Sequence, residues 1–228
     1  MSIYAFFKIY RRIGSMIITY LGNQFFKVQL GDLTIAFDPP AKDSKFKSSK
    51  FGANIVLESL VHEDMSGGSE LVYGDKSPFI VSGPGEYETN GIFIKGVAGS
   101  SRYDLDAKDE NLINTIYSLT VDNISMLFLG AQSQELPAQL SDVVDEVDIL
   151  FVPIGDDGVF SPKEAYKIAM NLDSKIIIPM NFSSTKDEKL KMFTKEAGGE
   201  SETVDKLTIK KKDLDGKQGV IYILEPQG

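Results

Sequence analysis

The sequence predicts an α/β domain built from two sheets with helices outside them, and three observations carry that expectation. Short strand-like runs dominate the first half, and strand–helix alternation takes over in the second. Two tight-turn signals, Gly31-Asp32 and Asp122-Asn123, each separate a pair of apolar runs, as antiparallel hairpins require.

In chain order the strands begin with Ile17–Leu21, Phe25–Leu30 and Leu33–Phe37, the last stopped by Asp38-Pro39-Pro40. Residues 42–51 are rich in Lys and Ser and too poor in apolar side chains to be core. Ile55–Glu58 is a further strand, followed by a loop holding His62, Glu63, Asp64 and Gly67-Gly68, where chemistry is expected. Phe79–Ser82 leads into the Gly83-Pro84-Gly85 turn, and Ile92–Val97 is entered through Asn90-Gly91. Residues 99–112 are polar and acidic, as a surface loop is. Thr115–Val121 and Ser125–Leu129 form the second hairpin. Then follow a helix over Leu136–Val144, a strand Asp148–Val152, and a helix Pro162–Leu172 with Ser161 as N-cap and Pro162 at its first position. A strand Lys175–Pro179, a helix Lys186–Ala197 closed by Gly198-Gly199 and a last strand Gly219–Leu224 complete the chain. No internal linker or short-period repeat interrupts it, so residues 16–228 read as one domain and residues 1–15 as an N-terminal extension.

The 228 residues include one histidine, no cysteine and no tryptophan, with 42% hydrophobic side chains and a net charge of −9. Absent cysteine excludes disulfides, thiolate metal sites and a cysteine nucleophile. A single imidazole is the sharper limit, because catalytic zinc and acid–base work near neutral pH usually draw on several. The acidic balance argues against nucleic acid, which needs a basic face. The run Lys210-Lys211-Lys212, answered by Asp213 and Asp215, reads as a solvated strand end. No run approaches the about 18 apolar residues of a membrane span, and a cytoplasmic protein is expected.

In the extension, Ile3, Phe6, Phe7 and Tyr10 fit a helical template, with Lys8, Arg11 and Arg12 behind them. That order of charge and apolar residues is not that of a secretory signal. A short basic amphipathic helix could touch a membrane or a partner, but Tyr4, Ala5 and Ile9 spoil its polar face. An extension ahead of a start at Met16 is the preferred reading, without membrane contact.

Several acids could carry function, and each has a plain structural reading. Asp156-Asp157 could bind a hard cation, while adjacent acids in a glycine-flanked loop are ordinarily a solvated turn. Glu86 and Glu88 sit beside the Gly-Pro-Gly turn. His62 could contact a ligand or a weakly held ion, or simply be a hydrogen-bonded rim side chain. No nucleophile elbow or phosphate-cradling loop is present.

An ordered set of segments resembles a known family: IITYLG (17–22), Asp38-Pro39, SGPGEYE (82–88), LFLG (127–130), VDILFVP (147–153), Lys163-Glu164-Ala165 and IIIPM (176–180). Together they look like the metallo-β-lactamase-fold superfamily, in its branch of metal-dependent hydrolases similar to L-ascorbate-6-phosphate lactonase. The resemblance spans roughly residues 16–225 and implies a four-layer αββα sandwich with its active site at one rim. It also implies a structural role for Asp38, whose carboxylate would accept hydrogen bonds from the backbone of the neighbouring metal loop.

In that family two metal ions share a carboxylate and hold an attacking hydroxide, using a His-x-His-x-Asp-His loop, two later histidines and a bridging aspartate. Here the second histidine and the aspartate of the loop survive as His62 and Asp64, while the first and last histidines are Leu60 and Met65. Ala131 replaces the bridging aspartate, Asn181 the final histidine, and Asn23 the histidine after Tyr-Leu-Gly. The middle histidine falls near Ser100 in an unfixed register. Too few ligands remain for either metal. The expectation is therefore a metal-free pseudoenzyme with a binding, regulatory or scaffolding role, either self-associating or pairing with an active relative, on a small-molecule ligand of unspecified class. Two alternatives stay open. One is an atypical lactone or phosphoester hydrolase using His62, Asp64, Asp38 and Glu63, with one weakly bound zinc or manganese ion. The other is a membrane-surface or assembly protein using residues 1–15.

Overall fold

The structure, a computed structural model, describes residues 14–47, 49–70, 72, 77–106 and 108–228. The amphipathic template in the extension lies outside them. Two mixed sheets pack face to face. The six-stranded sheet runs β13-β1-β2-β3-β4-β5, from β1 (Met16–Gly22), β2 (Phe25–Leu30), β3 (Leu33–Phe37), β4 (Ile55–Leu57), β5 (Phe79–Val81) and β13 (Leu207–Ile209). The eight-stranded sheet runs β12-β14-β11-β10-β9-β8-β7-β6. Its strands are β6 (Gly85–Thr89), β7 (Ile92–Ser101), β8 (Leu112–Val121), β9 (Ile124–Phe128), β10 (Ile149–Pro153), β11 (Ile176–Met180), β12 (Glu202–Val204) and β14 (Val220–Leu224).

Local chemistry explains the elements. Both hairpins close where the turn residues take positive φ: Gly31 at 54° between Leu30 and Leu33, and Asp122 and Asn123 at 49° and 62° between Val121 and Ile124. Strands β10 and β11 are buried along their whole length because α1 (Pro162–Asn171) and α2 (Glu188–Glu196) cover the outside of that sheet. Helix α1 starts in a capping box, with the Glu164 N–H donating to Ser161 Oγ and the Ser161 N–H donating to the Glu164 carboxylate. Between the sheets Phe26 of β2 meets Phe151 of β10 at 4.9 Å and Phe37 of β3 meets Phe128 of β9 at 4.8 Å between ring centroids. Outside the six-stranded sheet, Phe25, Ala36 and Val56 are covered by Phe51, Ala53 and Val72 of the following loops.

Four expectations need correcting. Leu136–Val144 forms only a 3-10 turn over Ala138–Asp142, because Pro137 is extended and interrupts the segment, while Leu140 is buried and Leu136, Val143 and Val144 pack beside it. The short strands β12 and β13 escaped the pattern reading, since three residues carry no periodicity. The segment 99–112 is not all loop, as β7 runs to Ser101 and β8 starts at Leu112. Lys211 is no solvated strand end, because its ammonium lies 2.6 Å from the buried carboxylate of Asp148.

Candidate functional site

The ends of β1, β3, β4, β7, β9, β10 and β11 converge on one rim of the sandwich. Asn23, Asp38, Asp156 and Asn181, each just past a strand, have φ of 52°, 46°, 62° and 64°, a left-handed turn that Asn and Asp tolerate. Gly130 does the same after β9 at 59°, and a Cβ there would lie 2.5 Å from Asn114 Oδ1 and 2.6 Å from the Ser59 side chain. The rim is thus a set of tight turns that deliver side chains inward.

Asp38 is fully buried, and its two oxygens accept from the Ser59 N–H and the Ser59 hydroxyl, each at 2.6 Å. Burial pushes its carboxyl well above the usual range, although the Ser59 bonds pull the other way. Nearby, the Glu58 carboxylate accepts from the Gly67 N–H at 3.0 Å, which ties the loop's end to its start. The Thr115 N–H donates to the Ser59 carbonyl at 2.7 Å, so the loop is also pinned to the opposite sheet.

His62 and Asp64 lie within this pinned loop. The Asp64 backbone N–H donates to His62 Nδ1 at 3.1 Å. Nδ1 is therefore the acceptor, and in the neutral ring Nε2 carries the hydrogen, facing Asp104 Oδ2 at 3.3 Å. Both nitrogens of the sole imidazole are engaged. The Asp64 side chain is 1% exposed. Its Oδ1 accepts from Ser44 Oγ at 2.6 Å and its Oδ2 from the Tyr103 hydroxyl at 2.8 Å, with Lys45 Nζ 3.2 Å from Oδ2. Burial alone would raise its pKa, but the bonds from Ser44, Tyr103 and Lys45 outweigh it and hold Asp64 below the ordinary carboxylate value. Burial and the Asp64 charge in turn push the Tyr103 hydroxyl upward.

Beside this carboxylate three positions that the family resemblance singles out come together. Leu60, Met65 and Ala131 pack with Tyr103 and Val159 in one buried apolar cluster. Asn23 and Asn181 also meet: Asn181 Nδ2 donates to Asn23 Oδ1 at 2.8 Å, and Gln24 Nε2 donates to Asn181 Oδ1 at 2.8 Å. Asn114 and Gln132 complete the polar frame. Asn114 Oδ1 accepts from the Ala131 N–H at 2.9 Å, and Gln132 Oε1 accepts from the Ser100 N–H at 3.0 Å. Around Ser100 the strand simply continues, and the side chain that reaches the centre from this segment is Tyr103.

These residues do not fit a metal pair. Leu60 and Ala131 offer no donor and Met65 only a soft thioether, both Asp64 oxygens and both His62 nitrogens already make hydrogen bonds, and among the described residues no group of three His, Cys, Asp or Glu side chains is placed to hold an ion. A cleft of about 800 Å³ opens above the cluster, lined among others by Asn23, Lys45, Phe46, Tyr103, Val159 and Asn181. Sequence reasoning missed Ser44, Lys45, Tyr103, Asn114 and Gln132. The first three lie in polar segments that read as surface, with no signal beyond isolated aromatics to mark them.

The sequence profile of the beta-lactamase superfamily domain matches residues 17–181. A UPF0173 metal-dependent hydrolase of Anoxybacillus flavithermus is 23% identical over 198 residues, covering 74% of this chain and 87% of that protein. The crystal structure of a Thermotoga maritima member of the metallo-beta-lactamase superfamily superposes with a TM-score of 0.72 at 26% identity, over 92% of this chain and 98% of that one. The fold of Igni18, a metallo hydrolase from Ignicoccus hospitalis, matches with a TM-score of 0.58 at 15% identity, over 93% and 96% of the two chains.

Proposed function

This chain belongs to the beta-lactamase superfamily, and from that premise we propose that it has lost the metal-dependent hydrolysis named for its relatives and works as a binding module through its rim cleft. One observation carries the reading: the ligand positions Leu60, Met65 and Ala131 form a packed apolar cluster, and the surviving Asp64 faces an ammonium group. A bound dication would have to displace Lys45 and find ligands beside an apolar cluster that supplies no imidazole or carboxylate, and desolvating an ion there without ligands is costly. His62, with both nitrogens hydrogen-bonded, has no free lone pair for a general base. A regulatory or scaffolding role follows if the module self-associates or pairs with an active relative.

Elemental analysis of the purified full chain, with hydrolysis of lactone and phosphodiester panels, tests this. We expect only trace zinc and manganese after dialysis and turnover indistinguishable from buffer. About two ions per chain, as a dinuclear centre needs, overturns the reading. So does hydrolysis that His62→Ala abolishes, which would establish the atypical hydrolase instead.

A further inference from the structure

We propose that the seat of the Lys45 ammonium is an ammonium-recognition subsite of the rim cleft, so that the cleft's ligand is a primary alkyl amine and Lys45 is its resident stand-in. The proposal deepens the metal-free reading of the rim and rests on it, because a dication at Asp64 would repel any ammonium.

The seat has the parts such recognition needs. At its base Asp64 is held by two neutral donors, Ser44 and Tyr103, which fix the carboxylate without discharging it. The charge that answers it is Lys45 Nζ at 3.2 Å. The same ammonium lies 5.4 Å from the ring centre of Phe46 and 5.5 Å from that of Tyr103, within the range where an aromatic face attracts a cation. A buried carboxylate whose counter-ion lies close to two aromatic rings is complementary to a compact organic cation.

The seat is also reachable. Lys45, Phe46 and Tyr103 all line the cleft, and the Lys45 side chain is 60% exposed, so its stem is not locked by packing. An alkyl amine entering from the cleft could take the ammonium position as Lys45 swings outward. The remaining cleft favours the same charge. Its other cations are committed, Arg102 to the carbonyls of Asp106 and Asp109 and to Asn111, and Lys189 to Asp157 and the Gly155 carbonyl. An anion entering there would meet carboxylates such as Asp104 and Asp156, which also line the cleft.

The test uses the full chain in chelator, so that metal plays no part, with n-butylammonium as a copy of the lysine side chain and n-butanol as its neutral match. In Lys45→Ala, n-butylammonium should bind saturably and raise the melting midpoint by about 3–5 °C at roughly tenfold excess over its dissociation constant. The alcohol should bind about tenfold more weakly or worse. The unsubstituted protein should show a smaller shift at the same concentration, because the tethered ammonium competes. Adding Asp64→Asn to Lys45→Ala should abolish the effect. Equal response to amine and alcohol, or amine binding that persists without the Asp64 charge, overturns the subsite. Should the buried Asn prevent folding, the amine-against-alcohol comparison in Lys45→Ala decides by itself. Metal bound with hydrolysis overturns the reading of the whole rim, whereas amine-indifferent Lys45→Ala overturns the subsite alone.

Discussion

Two buried aspartates, at opposite ends of the sandwich, are both neutralised by lysine and differ in what surrounds the pair. At the base, Asp148 is 0% exposed and holds Lys175 at 2.8 Å, Lys211 at 2.6 Å and the Ser125 N–H at 2.9 Å, so it ties β9, β10, β11 and the segment after β13 together. Lys175 also meets Glu146, and its side chain is 26% exposed. At the rim, Asp64 has a single lysine, 60% exposed, beside an open cleft. A carboxylate stitched by two cations from segments far apart in the chain is architecture. One answered by a solvent-exposed loop cation next to a cavity is a place where a partner can be exchanged.

The comparison is most strongly broken by attacking the apolar cluster that keeps the rim closed beneath Asp64. Met65→Ala should cost about 2–5 kcal/mol in chemical denaturation, as truncation of a fully buried side chain does; a cost below about 1 kcal/mol would mean that the cluster collapses without strain. Next comes Asp148→Asn, expected to cost about 2–3 kcal/mol because charged hydrogen bonds to two lysines are lost at once. It carries a pH signature too. Burial works against the Asp148 charge, but Lys175, Lys211 and Ser125 outweigh it and hold its pKa below the ordinary 3.8. A depressed folded pKa means that the stabilisation is fully present above the unfolded value and is lost as pH falls through the folded one. Asp148→Asn should therefore flatten the acid side of the stability profile below about pH 4, and an unchanged profile would remove Asp148 from the base's electrostatics. The smallest effect belongs to Lys45→Met, at most about 1 kcal/mol and shrinking with added salt, since its ammonium is mostly solvated. A loss equal to that at Asp148 would erase the distinction between the two ends.

Legibility followed the range of the interactions. Hairpins, the capped helix α1 and the apolar runs of β10 and β11 are written in neighbouring residues, and the sequence places them to within a few positions. Leu136–Val144 misled because its apolar residues suggest a helical face, and they do pack on the core, but Pro137 stays extended and only a 3-10 turn follows it. At the site, His62, Asp64, Leu60, Met65 and Ala131 could be singled out from the sequence. The partners of Asp64 could not, because Ser44, Lys45 and Tyr103 approach it from loops on either side of it in the chain.

The sequence by itself determined that this chain has a single imidazole, no thiol and no tryptophan, and it carries the ordered segments of the superfamily it belongs to. Those are matters of which atoms exist. Only the tertiary structure decided that the buried Asp64 carboxylate is answered by Lys45 close to two aromatic rings, beside a buried apolar cluster. The physical reason is that counter-ion pairing depends on how strand ends and loops from both sheets meet at the rim, a geometry to which no periodicity along the chain corresponds.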